Sequence, residues 1–183
     1  MDSEGNAVSI TTTLNDSYGS KTVVSGAGFL LNNEMDDFSV KPGVPNMYGA
    51  IGGVANAIAP GKRMLSSMTP TIVTKNNQLF MVVGTPGGTT IITSVLQSLI
   101  NVIDFGMSAF DAVNKPKFHH QWQPDQIDVE MSFPLEVRLK LDSMGYKTRQ
   151  RELIGRTEMI LVKPNGQLEA VADKRGDDSV EGW

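Results

Sequence analysis

A chain of 183 residues, 40% of them hydrophobic and with a net charge of −4, is expected to form one domain over 1–183 with a core of its own. No basic run is long enough to follow a phosphate backbone and no apolar run reaches membrane-spanning length, so neither nucleic acid nor a membrane span is expected. The absence of cysteine excludes disulfides, thiolate metal sites and a cysteine nucleophile, and Met1-Asp2-Ser3-Glu4 lacks the basic start and apolar core of a secretory leader.

In chain order, Ala7 to Leu14 is rich in β-branched residues and follows a Glu4-Gly5-Asn6 turn signal, which predicts a strand. Thr22 to Leu31 is a second apolar segment, interrupted by Gly26 and Gly28. From Lys41 to Lys62 glycine, proline and asparagine remove any period, which predicts a long ordered loop of functional use. Thr69 to Thr74 and Gln78 to Gly84 read as paired strands around a Lys75-Asn76-Asn77 turn. After Gly87-Gly88, apolar residues from Ile91 to Ile103 recur at helical spacing, with Gly106 as the stop. Ser108 is the expected cap of a short helix over Ala109 to Asn114, and Ser132 the expected cap of another that carries Leu135, Leu139 and Leu141 and ends at Gly145. Glu158 to Val162 and Gln167 to Ala172 flank the hairpin signal Pro164-Asn165-Gly166. Strands, central helices and strands again describe a mixed α/β layered domain.

Three loops carry residues suited to chemistry. Asn32-Asn33-Glu34-Met35-Asp36-Asp37 concentrates negative charge, which fits either a bound cation such as an ammonium group or a solvated loop; it lacks the ligand spacing of a calcium helix–loop–helix site. Ser66 and Ser67 offer adjacent hydroxyl donors for an anion, or only a turn. Gly84-Thr85-Pro86-Gly87-Gly88-Thr89-Thr90 lies between a strand and a helix. Free N–H groups there suit a carboxylate, a phosphate or the oxyanion of an acyl transfer, unless the segment is only a tight connection. His119 and His120 are adjacent and cannot easily share a metal, so packing is the expected use. No Ser-His-Asp order and no GxSxG is legible.

Taken in order, Asp2 to Asn15, Leu30 to Phe38, Lys41-Pro42-Gly43, Lys62-Arg63 with Leu65 to Pro70, Gly84 to Gly88, and Phe118 to Trp122 resemble the small, C-terminal subunit of the gamma-glutamyltransferases. The likeness covers the whole chain and is most specific where Leu-Ser-Ser-Met is followed by the Pro-Gly-Gly loop. It implies an α+β N-terminal-nucleophile hydrolase fold, an αββα sandwich of which this chain supplies the small-subunit half. It further implies a self-cleaving precursor, a large subunit as partner, and glutathione or other gamma-glutamyl compounds as substrates. A threonine hydroxyl would form an acyl-enzyme and pass the glutamyl group to water or to an amino acid or peptide. No cofactor is expected, and the family's usual compartments are periplasmic or extracellular.

Carried over by position, the resemblance implies that Thr13 supports the nucleophile. Asn15, Glu34 and Asp37 would hold the substrate ammonium, Ser66 and Ser67 its α-carboxylate, and the amides of Gly87 and Gly88 would form the oxyanion hole. The chain departs from the family at three points. The Thr-Thr-His start expected before Asp2 is not among these residues, so the 183-residue chain alone is expected to be inactive. Met64 replaces a usual proline, and Thr90 replaces an arginine common in many members. Two other possibilities are a glutaryl-type acylase of the same fold and a non-catalytic glutamate-binding module. The first is disfavoured because a glutaryl group has no ammonium for Glu34 and Asp37.

Overall fold

The computed structural model describes residues 1–182, which form two compact units: one from Met1–Thr11 together with Met68 onward, the other from Thr12–Ser67. The larger unit contains, in chain order, β1 (Thr71–Lys75), β2 (Gln78–Gly84), α1 (Thr90–Ile103), α2 (Ala109–Asn114), β3 (Phe118–His119), β4 (Ile127–Glu130), α3 (Leu135–Ser143), β5 (Thr148–Arg151), β6 (Glu158–Val162) and β7 (Leu168–Val171). Four strands pair antiparallel in the order β1-β2-β6-β7. In a second sheet, β3 pairs antiparallel and β5 parallel with β4.

The β1–β2 hairpin closes through Asn76 and Asn77, both left-handed at φ 54 and 61°. Asparagine tolerates that conformation, which matches the right-handed twist of the flanking strands. Apolar residues of β2 and β6 (Met81, Val83, Met159, Leu161) meet Val171 of β7, Val95 and Val102 of α1, and Ala109, Ala112 and Val113 of α2, and these form the core. Ser108 caps α2 as expected, its hydroxyl accepting the Asp111 N–H at 3.1 Å.

A buried ionic group ties the second sheet to the end of the first. Arg175, beyond β7, donates to both oxygens of Glu130 on β4 at 2.6 Å and to Asp173 at 2.9 Å. Lys117, just before β3, donates to Asp173 at 3.3 Å and to the Val113 carbonyl at 2.7 Å. Two cations and two carboxylates thus neutralise one another where lone charges would be costly. Burial would raise the Glu130 pKa, yet hydrogen bonds from Arg175 and from the Lys117 and Ile154 amides hold it below the ordinary value. Burial lowers the Lys117 pKa, with Asp173 offsetting part of the effect.

Several local expectations need correction. Ala7–Leu14 carries no regular secondary structure and pairs with no strand; Val8 and Ile10 are exposed, the Ser9 hydroxyl donates to the Val83 carbonyl at 3.2 Å, and the Leu14 carbonyl accepts the Asn33 N–H at 3.0 Å. Thr22–Leu31 forms a small hairpin closed by a single Val23–Leu30 bridge. Ser132 does not cap α3, whose capping position is Pro134. The α3 leucines do not share a face: Leu135 and Leu139 are exposed, while Leu141, on the other side of the helix, is half-buried. No helix among the described residues is long and apolar enough to cross a membrane.

Candidate functional site

In the Thr12–Ser67 unit, the acidic residues expected from the sequence lie on a 3-10 turn, Glu34–Asp37. The turn is held by amides rather than by regular structure. Asn33 accepts the Asp16 N–H on its side-chain oxygen at 2.9 Å, and its own N–H donates to the Leu14 carbonyl at 3.0 Å. Asn15, left-handed at φ 77°, donates its side-chain N–H to the Asn33 carbonyl at 3.1 Å, and the Tyr48 hydroxyl donates to the Asn15 carbonyl at 2.8 Å. The Thr13 hydroxyl accepts the Asn15 N–H at 2.9 Å. Thr13, Asn15 and the acidic turn therefore belong to one hydrogen-bonded assembly.

Asn56 extends this assembly toward the serines. Its side-chain N–H donates to the Asp37 carbonyl at 2.7 Å, and its side-chain oxygen accepts the Leu65 N–H at 3.0 Å, next to Ser66. Ser66 is exposed and Ser67 half-buried. Nothing in the one-dimensional pattern distinguishes Asn56 from its glycine- and alanine-rich surroundings.

Glu34, Asp36 and Asp37 are half-buried, and none is paired with a basic side chain among the described residues. Asp36 accepts the Met47 N–H at 3.2 Å. Burial, with Glu34 and Asp36 alongside, pushes the Asp37 carboxyl above its ordinary range. Burial and the nearby Asp16, Asp37 and Asp36 likewise raise the Tyr48 phenol. Negative charge is thus concentrated without a counterion of its own, and an incoming cation relieves the repulsion. Among the described residues no three His, Asp or Glu side chains are placed together to hold a metal ion.

In the larger unit, Pro86-Gly87-Gly88 forms the turn between β2 and α1. Gly87 is at φ 141° and Gly88 at φ 58°, conformations that favour glycine. A Cβ on Gly87 would stand 2.5 Å from Thr90 Oγ1. The Gly87 carbonyl accepts both the Thr90 N–H at 3.1 Å and the Thr90 hydroxyl at 2.8 Å. The Gly87 and Gly88 amides donate to no acceptor among the described residues, Gly87 is exposed and Gly88 half-buried. Two free N–H groups on one tight turn can accept an anion or stabilise a developing one. Of the histidines, His119 is buried but does more than pack, its ring nitrogens lying 2.8 Å from Thr93 Oγ1 and 2.9 Å from Gln121 Oε1. His120 is exposed and meets Asp125 at 3.3 Å.

The family model for gamma-glutamyltranspeptidase matches residues 1–183. The glutathione hydrolase proenzyme of Escherichia coli (strain K12) is 49% identical over 184 residues, covering 100% of this chain and 32% of its own length. Among solved structures, a mutant gamma-glutamyltranspeptidase of Helicobacter pylori superposes with a TM-score of 0.92 at 52% identity, covering 96% of this chain and 97% of that one. The gamma-glutamyltranspeptidase of Pseudomonas nitroreducens, solved in complex with L-DON, gives a TM-score of 0.93 at 48% identity, covering 100% of this chain and 96% of that one. The fold is the mixed α+β N-terminal-nucleophile hydrolase fold of these structures. The chain spans about a third or less of the length of the curated relatives first matched, which are proenzymes.

Proposed function

Because the chain belongs to the gamma-glutamyltranspeptidase family, we propose that residues 1–183 are the small-subunit part of a gamma-glutamyltransferase or glutathione hydrolase. The enzyme takes the gamma-glutamyl group of glutathione and related amides and transfers it to water, an amino acid or a peptide. Its partner is the large subunit cut from the same precursor, and its proposed compartment is the periplasm or the outside of the cell, as family resemblance suggests. The nucleophilic threonine is assigned to the part of the proenzyme that these residues do not span.

The observation that carries the proposal is the half-buried acidic turn without a counterion. Glu34 and Asp37, with Asn15, receive the substrate's α-ammonium, and Ser66 and Ser67 donate to its α-carboxylate. Recognition of both charges leaves the γ-carbonyl as the free end of the substrate. The threonine hydroxyl, its orientation supported by Thr13, attacks that carbonyl, and the Gly87 and Gly88 amides stabilise the oxyanion. The tetrahedral species expels the amine and leaves a glutamyl ester, which water or an acceptor amine then cleaves.

Asp37→Asn in the processed enzyme removes a charge-assisted contact to the ammonium and is expected to lower kcat/KM for gamma-glutamyl-4-nitroanilide by about 10–100-fold. Unchanged kcat/KM overturns the assignment of the acidic turn.

A further inference from the structure

The peptide unit is planar and trans, so its C=O and N–H point in opposite directions, and a grip on the carbonyl fixes where the amide of the next residue aims. Both carbonyls that govern the Gly87 and Gly88 amides are gripped by threonine hydroxyls. Thr85, 2% exposed, donates from Oγ1 to the Pro86 carbonyl at 2.8 Å, and that peptide carries the Gly87 N–H. Thr90, 4% exposed, donates from Oγ1 to the Gly87 carbonyl at 2.8 Å, and that peptide carries the Gly88 N–H. We infer that Thr85 and Thr90 are positioning residues that set the direction of the two oxyanion-hole amides, an assignment that depends on the acyl-transfer function proposed above.

The grips are themselves held from behind. The Thr85 hydroxyl accepts the Arg156 N–H at 2.8 Å, so its single proton is left for the Pro86 carbonyl. The chain comes this close because Gly155, at φ 68°, has no side chain; a Cβ there would stand 3.0 Å from Thr85 Oγ1 and 2.7 Å from Ser94 Oγ. Thr90 is anchored by its place in the first turn of α1, where its N–H also reaches the Gly87 carbonyl. The hydroxyl at position 90 therefore has a use within the turn itself.

The test uses the processed two-subunit enzyme and paired substitutions that keep or remove the hydroxyl at nearly constant shape. Thr85→Val and Thr90→Val are each expected to lower kcat by about 10–100-fold, below the full loss of an oxyanion donor, with KM for gamma-glutamyl-4-nitroanilide within about twofold. Thr85→Ser and Thr90→Ser restore kcat to within about threefold of wild type. A role in folding alone would not separate kcat from KM, so losses in KM only, or valine variants with wild-type kcat, overturn the inference. Crystal structures of the valine variants supply a readout independent of turnover. The Pro86–Gly87 or Gly87–Gly88 peptide is expected to rotate or to adopt two orientations, and an unmoved turn in both variants overturns the inference. If the wild-type enzyme hydrolyses no gamma-glutamyl amide, the proposed function fails by itself, and the peptide orientations then decide whether the threonines set them.

Discussion

Glu158, at the start of β6, is a half-buried carboxyl beside Arg156 and Asp178. Burial, and after it the Asp178 carboxylate, raises its pKa to about 7, while Arg156 donates to Asp178 and keeps that partner ionised. A folded value above the ordinary 4.5 means that the folded state holds the proton more tightly. The stability from Glu158 is therefore fully present below about pH 4.5 and is lost as the pH rises through about 7. Glu158→Gln is expected to raise the melting temperature at pH 8 by about 2–4 °C and to change it little at pH 4.5, as differential scanning calorimetry would show. A lower melting temperature at pH 8 would contradict this. At this scale the acidic turn, the paired serines and the Gly-Gly turn were legible as residue types in the sequence. Asn56 and Thr85 were not, because their use depends on carbonyls and amides that only the folded chain brings within reach.

Among the elements, those with local signals stood out in the sequence. The Asn76-Asn77 turn, the periodic α1 and the Ser108 cap each need only neighbours a few residues away. Ser108→Ala removes the bond to the Asp111 amide and is expected to cost about 1 kcal/mol in denaturant unfolding, where no change would show that the cap is redundant. Elements that depend on distant partners were not legible. β3 has two residues and β4 and β5 four each, and they are strands only because they pair with one another. Ala7–Leu14 shows the converse, since β-branched composition favours an extended chain but cannot supply the edge against which a strand is built. On α3, two exposed leucines imitate an apolar face at helical spacing.

For the molecule as a whole, the buried group of Lys117, Glu130, Asp173 and Arg175 was hidden in the sequence because its members are spread over 59 positions (117 to 175). Arg175→Leu would leave Glu130 without its cation and weaken the balance at Asp173. The expected loss is about 3–5 kcal/mol in equilibrium unfolding, and a loss below about 1 kcal/mol would show that the pair is dispensable. Both carboxyls sit below their ordinary values despite burial, so the stability they add is present above about pH 4.5 and is lost as the pH falls. Membership of the gamma-glutamyltranspeptidase family sets the chemistry to be tested, and the role proposed for the acidic turn gives it a specific form, recognition of an ammonium on the acyl group. The most direct measurement is the ratio of kcat/KM for gamma-glutamyl-4-nitroanilide to that for glutaryl-4-nitroanilide, which lacks only the ammonium, with the processed enzyme. A ratio of about 100 or more in favour of the gamma-glutamyl substrate is predicted, whereas a ratio near or below one would contradict the account.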